Sequence, residues 1–454
     1  MLPLLLFVTL PHVDEVAPGV WASGFAARHG SANTGWFIAG AETVLVDLPP
    51  AAVPLDGYLA EVKRISGRPA LSVLFTSEGV APPAGLRAAV VDSLPGVRRA
   101  AGGAIFLERA KVLFAGPAVT NGPRADVTRW DTAAWLDTLT RLEALGARRV
   151  VPGKGSWGGA DVVARQKRFL AELRRQVAYG ISMGRPLGAI TGEILLPASY
   201  YTWMPYDLPT ADDIRHVYSE LTAPRAPFYG RQPKHPSALV LIADRYHEPE
   251  HLEAGLRPAL SAAGIEPWFT VDVTTLNAGN LSKVDLLVIL RDGMLWPEGT
   301  ARGSQYKIWM TPEQEKAVVD FVEGGKAFLN LHNSMGLYPK DGPYLKLVAG
   351  NYIGHGPLER FRVEVVDKTH PITQGVSDWS AADEQHTPPY DEKKARLLLR
   401  NRSDDGKTAA AGWAYEPGKG RLAHLASGHT RDALEHPMFQ RLLRNALEWC
   451  LRLR

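Results

Sequence analysis

Two adjacent glycines, followed by a short apolar run that stops abruptly at a histidine, constrain the fold of this chain most strongly. The run KAFLNL follows Gly324 and Gly325, and His332 is followed at once by Asn, Ser, Met and Gly. Such a pattern is typical of a buried parallel strand that turns sharply at its carboxyl end. Ligands bind outside the carboxyl ends of strands in open α/β sheets, so His332 is predicted to lie where reactive groups are placed. A core histidine that hydrogen-bonds its neighbours explains the segment equally well.

The second half of the chain alternates between strand patterns and helix patterns. Apolar runs at 238–243, 267–271 and 284–290 predict strands, and helical periodicity predicts helices at 249–263 and 311–322. The second of these helices opens with a threonine in the N-cap position and a proline in the first helical position. Alternation of this kind predicts an α/β fold with a mostly parallel sheet.

Histidines and acidic residues recur at predicted strand ends after this segment, which would bring them to one edge of the sheet. His332, His355, Glu384 and His429 are the candidates for a catalytic centre. Their nitrogen and oxygen donors could hold one divalent metal, with zinc as the expected ion. Alternatively, Glu384 and a histidine could form an acid/base pair. Backbone hydrogen bonds at strand ends explain each histidine taken alone, but four ionisable groups at one location favour a ligand site.

Further polar side chains are expected to line the same cleft. Those assigned to substrate binding are Asp244, Tyr246, His247, Asp383, His386 and Arg421. The guanidinium of Arg421 is expected to pair either with a carboxylate or with a substrate oxygen.

A segment rich in proline at 223–235 divides the chain, because it breaks both the helical and the strand period. The predicted domains are 13–222 and 236–454, and a length of 454 residues agrees with two or three domains. Residues 13–48 read as short strands punctuated by glycine, and 161–184 as an amphipathic helix.

Seven ordered blocks of sequence carry a family resemblance over residues 236–452. They are ALVLIADRYHE, KVDLLVIL, MTPEQEKAVVDFVEGGKAFLNLHNS, the segment from Gly350 to His355, THPITQG, the Asp383-Glu384 pair and GKGRLAHLASGHT. This set resembles the trehalose-utilisation (ThuA-like) family, which has a class I glutamine amidotransferase-like fold of the flavodoxin type. The resemblance implies a flavodoxin-like parallel sheet, a role in carbohydrate metabolism, and a small sugar or keto-sugar as ligand.

Two details of the resemblance narrow the expected chemistry. Amidotransferases carry a nucleophilic cysteine at the strand-to-helix turn, whereas this turn carries His332, as in the ThuA-like pattern, so glutaminase activity is not expected. ThuA-like sequences tend to have a tyrosine soon after the acidic pair; here His386 stands close to that pair and Tyr390 lies further on.

The first half contains GVWASGF, NTGWFIAGAETVLVDLP, a strand ending in Thr76, FAG and PGKG in that order. Over residues 13–185 this order resembles the metallo-β-lactamase fold, an αββα sandwich. That family continues the strand ending at Thr76 into a T-H-x-H-x-D-H metal motif, but this chain continues with SEGVAP and lacks the histidines and the aspartate. Pro117 replaces the family's metal-binding aspartate, and Lys154 replaces a histidine. A lysine ammonium has no lone pair to offer a metal.

The other possible ligands of the first half are His12, His29, Asp47 and Glu78, and they show no metal-ligand spacing. We therefore expect the first domain to lack metal ligands and β-lactamase activity. Its expected roles are those of a scaffold, a partner surface or a wall of the neighbouring cleft.

Composition limits the classes of partner and compartment. A net charge of +3, 45% apolar and 22% charged residues are typical of a soluble globular protein and indicate no nucleic-acid partner. The single cysteine, Cys450, excludes an internal disulfide and a cysteine-based zinc cluster. No nucleotide cofactor is indicated, and a homo-oligomer is allowed. Residues 1–12 resemble a truncated signal segment too short to span a bilayer, which favours an exported or periplasmic location over a cytoplasmic one.

Two functions from different classes fit these observations. The first is an enzyme acting on a small sugar or keto-sugar through His332, Glu384, His355 and His429, with or without a metal. The alternative is a non-catalytic sugar-binding or assembly protein whose first domain is a pseudo-enzyme that supplies protein contacts. Bound metal, and its loss on substitution of His332, would distinguish the enzyme from the binding protein.

Overall fold

A computed structural model describes residues 12–25, 32–50, 53–77, 79–83, 86–123, 125–194, 211–222 and 234–453. Two compact units make up the chain: Met1–Arg174 with Ile194–Val217, and Arg175–Glu193 with Tyr218–Arg454. Residues 175–193 thus group with the second unit, although the sequence-based boundary assigned them to the first domain. The apolar segment at 1–11 and most of the predicted linker, 223–233, lie outside the described residues.

The first unit is built on two sheets. Its strands and helices are β1 (Val13–Ala17), β2 (Val20–Ser23), β3 (Thr34–Ala39), β4 (Glu42–Val46), α1 (Leu55–Ser66), β5 (Ala70–Leu74), β6 (Ala89–Val90), β7 (Val97–Arg99), β8 (Ile105–Leu107), β9 (Val112–Asn121), α2 (Thr132–Glu143), β10 (Arg149–Gly155) and the first part of α3 (Asp161–Ser182). Strands β1 to β6 form one sheet in sequential order, and β10, β9, β8 and β7 form the other.

Apolar side chains of the two sheets pack against each other and form the main core of this unit. The core draws on Phe37, Val44 and Leu74 from one sheet and on Ile105 and Phe114 from the other. Helix α1 packs on the opposite face of the first sheet, where its buried side chains join a second apolar cluster. Helix α2 packs against β9 through an indole N–H that donates to a strand carbonyl. The αββα order predicted from the sequence is confirmed.

The second unit is built on one large sheet. Its strands and helices are the last part of α3, α4 (Leu187–Glu193), the last part of α5 (Ala211–Thr222), whose first part belongs to the first unit, β11 (Ser237–Ile242), α6 (Pro249–Ala262), β12 (Glu266–Thr270), α7 (Ala278–Leu281), β13 (Leu286–Leu290), β14 (Met294–Leu295), β15 (Lys307–Ile308), α8 (Pro312–Glu323), β16 (Ala327–Leu331), α9 (Pro343–Val348), β17 (His355–Val365), β18 (Trp379–His386), β19 (Arg396–Arg402), β20 (Thr408–Tyr415), β21 (Arg421–Leu425), α10 (Arg431–Leu434) and α11 (Pro437–Cys450).

The strand order of this sheet is β12-β11-β13-β16-β21-β20-β19-β17-β18. Strands β12 to β21 in this order run parallel, as the alternation of strands and helices predicted. The remaining four strands extend the sheet in antiparallel fashion. This extension was not predicted, because its sequence was interpreted only as polar segments at strand ends. The parallel strands place their carboxyl ends along one edge, where ligand sites of such sheets lie.

Local sequence signals explain the segment around β16. Helix α8 begins with a capping box between Thr311 and Gln314, and Pro312 takes the first helical position. The helix ends before two glycines, of which Gly325 has φ of +119° and turns the chain into β16. Five consecutive residues of β16 are buried, as expected of an inner parallel strand.

Helix α11 closes the second unit by burying one face against the sheet. Phe439, Leu442, Leu443 and Leu447 are buried, and Cys450 lies among them. Burial raises the pKa of the Cys450 thiol to about 12, as expected of an inert core thiol. In the described parts of the chain, every helix is too short or too polar to span a bilayer.

Candidate active site at the carboxyl edge of the second sheet

His332 follows β16 in a left-handed backbone conformation, with φ of +50°. Its backbone N–H donates to the carbonyl of Leu425, the last residue of β21, over 2.8 Å. Gly428, in the loop after β21, passes so close that an added Cβ would lie 2.9 Å from the Cβ of His332. Because glycine leaves that space free, the loops after β16 and β21 approach each other and fix the position of the His332 side chain.

The buried imidazole of His332 has one nitrogen engaged and one without a partner. Its Nδ1 lies 2.9 Å from the carbonyl oxygen of Ala426, so Nδ1 carries the hydrogen and donates it. Nε2 then holds the lone pair, and it has no hydrogen-bond partner among the described residues. An unsatisfied buried acceptor costs about 1–3 kcal/mol. Buried polar atoms without a partner are rare in folded proteins, and a bound metal ion or ligand would supply the partner that Nε2 lacks.

The carboxylate of Glu384 lies between four imidazoles. Its Oε2 is 3.7 Å from Nε2 of His332, 3.8 Å from Nε2 of His355, 3.6 Å from Nε2 of His386 and 3.4 Å from Nδ1 of His429. The β17–β18 pair supplies three of these groups, because His355 begins β17 opposite His386 at the end of β18. These distances exceed most hydrogen-bond lengths, so the five side chains converge on one point but leave a gap between Glu384 and the imidazoles.

Asp244, after β11, orients a fifth imidazole. Its Oδ1 lies 2.8 Å from Nδ1 of His247, so that nitrogen donates its hydrogen to the carboxylate. Nε2 of His247 then faces Nδ1 of His429 at 3.0 Å. The other carboxylate oxygen of Asp244 accepts the backbone N–H of Asp292 and the side-chain amide of Asn333. Metal-binding histidines usually have a carboxylate or carbonyl partner that fixes the tautomer in this way.

Asp383 holds the loop that carries His429. Its two carboxylate oxygens accept the backbone N–H groups of Gly428 and His429, each over 3.0 Å. Burial raises the pKa of Asp383 to about 6, although these backbone hydrogen bonds act in the opposite direction. Neighbouring strand residues point to opposite faces, so the side chain of Asp383 lies on the face opposite Glu384. Asp383 is therefore a positioning residue.

Burial keeps three of the imidazoles neutral. It lowers the pKa of His332 well below the ordinary value of histidine, and the neighbouring His386 and His247 lower it further. Burial is also the main cause of the lowered pKa values of His386 and His429. These rings offer lone pairs rather than charge at neutral pH.

Neighbouring groups outweigh burial for two members of the centre. Burial alone would lower the pKa of His247, but the carboxylate of Asp244 outweighs it and raises that pKa. Burial alone would raise the pKa of Glu384, but the neighbouring His386 and His429 lower it. At neutral pH, Glu384 is thus an ionised carboxylate surrounded mainly by neutral imidazoles.

Two overlapping groups of side chains could hold a metal ion. They are His247, His332 and His429, and His332, Glu384 and His386, with the ligand atoms of each group within 4.8 Å of one another. Both groups use His332, whose Nε2 has a single lone pair, so the arrangement fits one cation better than two. Imidazole nitrogen and carboxylate oxygen are donors that zinc accepts.

Most residues predicted from the sequence come together at this edge. They are His332, His355, Glu384, His429, Asp244, His247, Asp383 and His386, with Tyr246 at the exposed rim. Arg421 does not join them, because it begins β21 beside Ala327, whereas the centre lies beyond the other end of that strand. Its guanidinium donates to the Glu416 carboxylate over 2.8 Å and to the Trp449 carbonyl over 2.9 Å. The predicted place of Arg421 in the cleft is therefore corrected, and of its two expected roles the carboxylate pair is observed.

Residues 237–450 match the family model of ThuA, described as trehalose utilisation. These residues form a ThuA-like domain. The match confirms the resemblance that the seven sequence blocks indicated and supports a carbohydrate-related role in general. No curated protein matches the chain.

Solved structures similar to this chain cover each unit separately. A putative ThuA-like protein from Parabacteroides merdae is 18% identical with a TM-score of 0.40, covering 49% of this chain and 91% of its own. One from Bacteroides uniformis is 17% identical with a TM-score of 0.38, covering 49% and 95%. A metallo-β-lactamase from Erythrobacter litoralis is 15% identical with a TM-score of 0.29, covering 36% of this chain and 95% of its own.

Four residues of the ThuA-like domain belong to the site but were not predicted. Asp292 and Asn333 follow β13 and β16, and each has a buried oxygen without a partner in the described part of the chain. His424 is fully buried in β21, and the ring of Tyr352 packs edge-on against His386 at 5.2 Å. The strand-end rule that selected His332 would have found Asp292 and Asn333, because both follow buried strands directly.

Asp292 combines burial with a neighbouring charge. Burial, followed by the carboxylate of Asp244, raises the pKa of Asp292 to about 7. His424 has Nδ1 at 2.6 Å from Oδ1 of Asn330, while its Nε2 has no partner in the described residues. Both groups show that the polar centre continues below the carboxyl edge into the interior of the sheet.

In the first unit, the carboxylate of Asp47 is engaged in hydrogen bonds with Thr76. Its carboxylate accepts the backbone N–H and the hydroxyl of Thr76 over 2.8 and 2.6 Å. Both groups of potential metal ligands in the described residues lie in the ThuA-like domain. His29 and Glu78 lie outside the described residues.

Proposed function

We propose that the ThuA-like domain is an enzyme that acts on a small sugar or keto-sugar, with His332, His355, Glu384 and His429 as its catalytic centre. The observation that carries this proposal is the convergence of four imidazoles on one ionised carboxylate beside an unsatisfied ring nitrogen. Packing alone does not account for so many ionisable groups at one place.

The donor set fits one divalent metal, and zinc is the ion that we propose. The unpartnered Nε2 of His332 and the fixed tautomers of His332 and His247 support this assignment. Zinc, when bound, supplies Lewis acidity toward a carbonyl or hydroxyl oxygen. His332, His247 and His429 would hold it, as one of the two overlapping groups allows, and the carboxylate of Glu384 would then stand beside it.

Glu384 is the group best suited to move a proton. It is ionised at neutral pH and only partly buried, so it can accept a proton from a substrate hydroxyl. His355, which is 35% exposed, is the imidazole most open to the surface and suits contact with a sugar oxygen. These groups support general acid/base catalysis, in which a proton is removed from a hydroxyl group or from the carbon next to a keto group.

The first test is metal stoichiometry in the full-length protein. After chelation and reloading, we expect one zinc per chain in the unsubstituted protein, loss of that zinc in His332→Ala, and retention in His12→Ala. His12 is an exposed histidine of the first unit and serves as the matched control. Equal zinc content in the His332→Ala protein and the unsubstituted protein would refute the proposed centre.

The second test separates an enzyme from a sugar-binding protein. For an enzyme, we expect Glu384→Gln to abolish turnover of a reactive sugar while that sugar still raises the melting temperature. A ligand at 100 times its Kd stabilises the folded state by about 2.7 kcal/mol, which such a shift would reveal. Sugar-dependent shifts without turnover in the unsubstituted protein would favour the binding protein with a pseudo-enzyme first domain.

A further inference from the structure

Exposed apolar side chains occur on the segments that border the polar centre of the ThuA-like domain. Tyr246, Leu337, Ile353 and Leu358 are 54%, 42%, 67% and 59% exposed, respectively. Single exposed hydrophobic residues are ordinary, but several around one polar site are typical of a ligand-binding surface. We call these four residues the apolar rim.

Strand register places Leu358 beside the catalytic carboxylate. Leu358 in β17 is the direct partner of Glu384 in the antiparallel strand β18. Directly opposite residues of an antiparallel pair project from the same face of the sheet, with Cβ atoms about 4.5–5.5 Å apart. The exposed Leu358 side chain therefore stands next to Glu384 on the side where the imidazoles converge.

Tyr246 and Ile353 adjoin the centre from two other segments. Tyr246 lies between Asp244 and His247, and its backbone N–H donates to Asp244 over 2.8 Å. Ile353 directly follows Tyr352, whose ring centroid is 5.2 Å from that of His386. Burial, then Glu384 and Tyr246, raise the pKa of Tyr352, as expected if these groups are close neighbours.

Leu337 completes the rim from the segment after β16. The preceding residue, Gly336, lies against the ring of Tyr352, because an added Cβ would be 3.6 Å from that ring. Leu337 has φ of +57°, so a left-handed turn sets its position and the side chain stays 42% exposed. Four separate segments next to the centre therefore each carry an exposed apolar side chain.

An aromatic strip continues the rim beyond Tyr246. The guanidinium carbon of Arg245 lies 5.5 Å from the Tyr246 ring centroid and 4.5 Å from that of Trp296. Trp296 in turn lies 5.6 Å from Tyr306, which is 42% exposed. The surface next to the centre can therefore cover a group larger than a single polar ring.

A free monosaccharide would leave this surface without a partner, because hydroxyl groups surround most of its ring. Ligand sites usually combine a few placed polar groups with mostly apolar lining. Here the imidazoles and Glu384 form the floor of the site, and the apolar side chains form its rim. The floor can bind a sugar hydroxyl or keto group, and the rim can bind an apolar substituent attached to that sugar.

We propose that the apolar rim binds the aglycone of a glycoside, so that the substrate is a glycoside or keto-glycoside with an aromatic or similarly apolar aglycone. This inference rests on the proposed function, since it assigns the sugar part to the His/Glu centre. It names Leu358 and Ile353 as specificity-determining residues that do not take part in the chemistry.

The test compares affinities for four probes: D-glucose, trehalose and the two anomers of 4-nitrophenyl glucoside. Titration calorimetry on full-length protein with Glu384→Gln prevents turnover during the measurement. We expect a 4-nitrophenyl glucoside to bind at least about tenfold more tightly than glucose. Adding Leu358→Ser should weaken the aryl glucoside about 3–10-fold and leave glucose unchanged, as expected for losing part of an apolar contact.

Val366→Ser is the matched control, because Val366 is also exposed, at 43%, and lies beyond the far end of β17. Equal affinities for glucose and the aryl glucosides would overturn the proposal. So would trehalose binding as tightly as the aryl glucosides, since a second sugar ring would then be the occupant. A changed sedimentation coefficient in Leu358→Ser without loss of aryl-glucoside affinity would also overturn it, and would assign the rim to a second copy of the chain.

Failure of the proposed function would look different. If His332→Ala kept its zinc and its activity while Leu358→Ser still weakened aryl-glucoside binding selectively, the rim would stand and the His/Glu centre would not. If His332→Ala lost both and Leu358→Ser had no selective effect, the centre would stand and the aglycone would not.

Discussion

His424 makes the ThuA-like domain sensitive to acid, and the effect can be calculated from its surroundings. The ring is fully buried in β21, stacks on Trp413 with centroids 4.2 Å apart, and donates from Nδ1 to Asn330. Burial, with a smaller effect of His386, lowers the pKa of His424 to about 3. In the unfolded chain the pKa of this histidine is close to 6.5. Between that pH and the folded pKa, the ring is therefore protonated in the unfolded state but neutral in the folded state.

The sign and size follow from proton linkage. Stability rises with pH wherever the unfolded state binds more protons, so this group removes stability as pH falls from 6.5 toward 3. Each pH unit in that window is worth about 1.4 kcal/mol for a single group. Between pH 7 and pH 5, His424 alone should therefore lower the free energy of unfolding by about 2 kcal/mol. His332, His386 and His429, whose pKa values are also lowered, act in the same direction.

His247 acts in the opposite direction, because Asp244 outweighs burial and raises its pKa. Its contribution to stability is fully present below the unfolded value near 6.5 and is lost as pH rises through the folded pKa. A comparison of variants is needed to isolate His424 from this and from the carboxylates. His424→Gln keeps a side-chain amide that can donate to Asn330 and removes the titrating ring.

Urea unfolding at pH 7 and pH 5, in the presence of a chelator, measures the effect. Hydrogen exchange of peptides from β16 and β21 assigns the transition to the ThuA-like domain. The loss of stability on acidification should be about 2 kcal/mol smaller in His424→Gln than in the unsubstituted protein. Substitution of the exposed His12 by Gln controls for the removal of any histidine. An identical pH dependence in His424→Gln and the unsubstituted protein would refute the reasoning.

Two further predictions concern the groups that position the centre. Gly428→Ala should destabilise the ThuA-like domain by about 1–3 kcal/mol in urea unfolding, because its Cβ would meet that of His332 at 2.9 Å. Gly354→Ala, which has a similar positive φ but open space around it, should cost clearly less, and equal losses would contradict the steric argument. Asp244→Asn should weaken zinc binding about 10–100-fold in competition titrations, because the carboxylate no longer fixes the histidine that it orients. Asp285→Asn, at the amino end of β13, is the control, and unchanged affinity in Asp244→Asn would remove Asp244 from the site.

Local sequence signals predicted the first helices and the parallel strands of the second unit with small errors in their ends. The helix predicted at 311–322 is observed as Pro312–Glu323, and the strand predicted at 284–290 as Leu286–Leu290. These elements were predictable because a cap, a proline or a glycine marks each boundary, and because buried strands are continuously apolar. The abrupt end of an apolar run predicted the sharp turn at His332, but not its left-handed conformation.

The antiparallel half of the sheet could not be predicted in the same way. Glu384 reaches the centre because β18 pairs with β17 in a register that sets Leu358 opposite Glu384 and His355 opposite His386. That register joins residues about thirty positions apart and depends on pairing, which local periodicity does not contain. The sequence therefore named acids and histidines that the structure brings together, without indicating how they approach each other.

Arg421 shows the converse error. Its strand was recognised, but the direction of the strand was not used, and Arg421 begins β21 whereas His429 lies beyond its end. Residues at the two ends of one parallel strand lie at opposite edges of the sheet, so only the second can reach a site at the carboxyl edge. The rule that selected His332 would have excluded Arg421.

The strongest physical argument for a ligand at this centre is the cost of the centre without one. The fold buries His332 with Nε2 unsatisfied, at about 1–3 kcal/mol. It also holds an ionised carboxylate at 3.4–3.8 Å from four imidazole nitrogens, too far for most hydrogen bonds. Asp244 fixes the tautomer of His247, and the Ala426 carbonyl fixes that of His332, so that Nε2 of each ring points its lone pair into the centre. A ring nitrogen that holds a lone pair cannot donate a hydrogen bond to the Glu384 carboxylate. A cation held by His332, His247 and His429 would accept the lone pairs of these rings, so zinc should raise the stability of the ThuA-like domain by mass action. The same addition should leave the stability of His332→Ala unchanged.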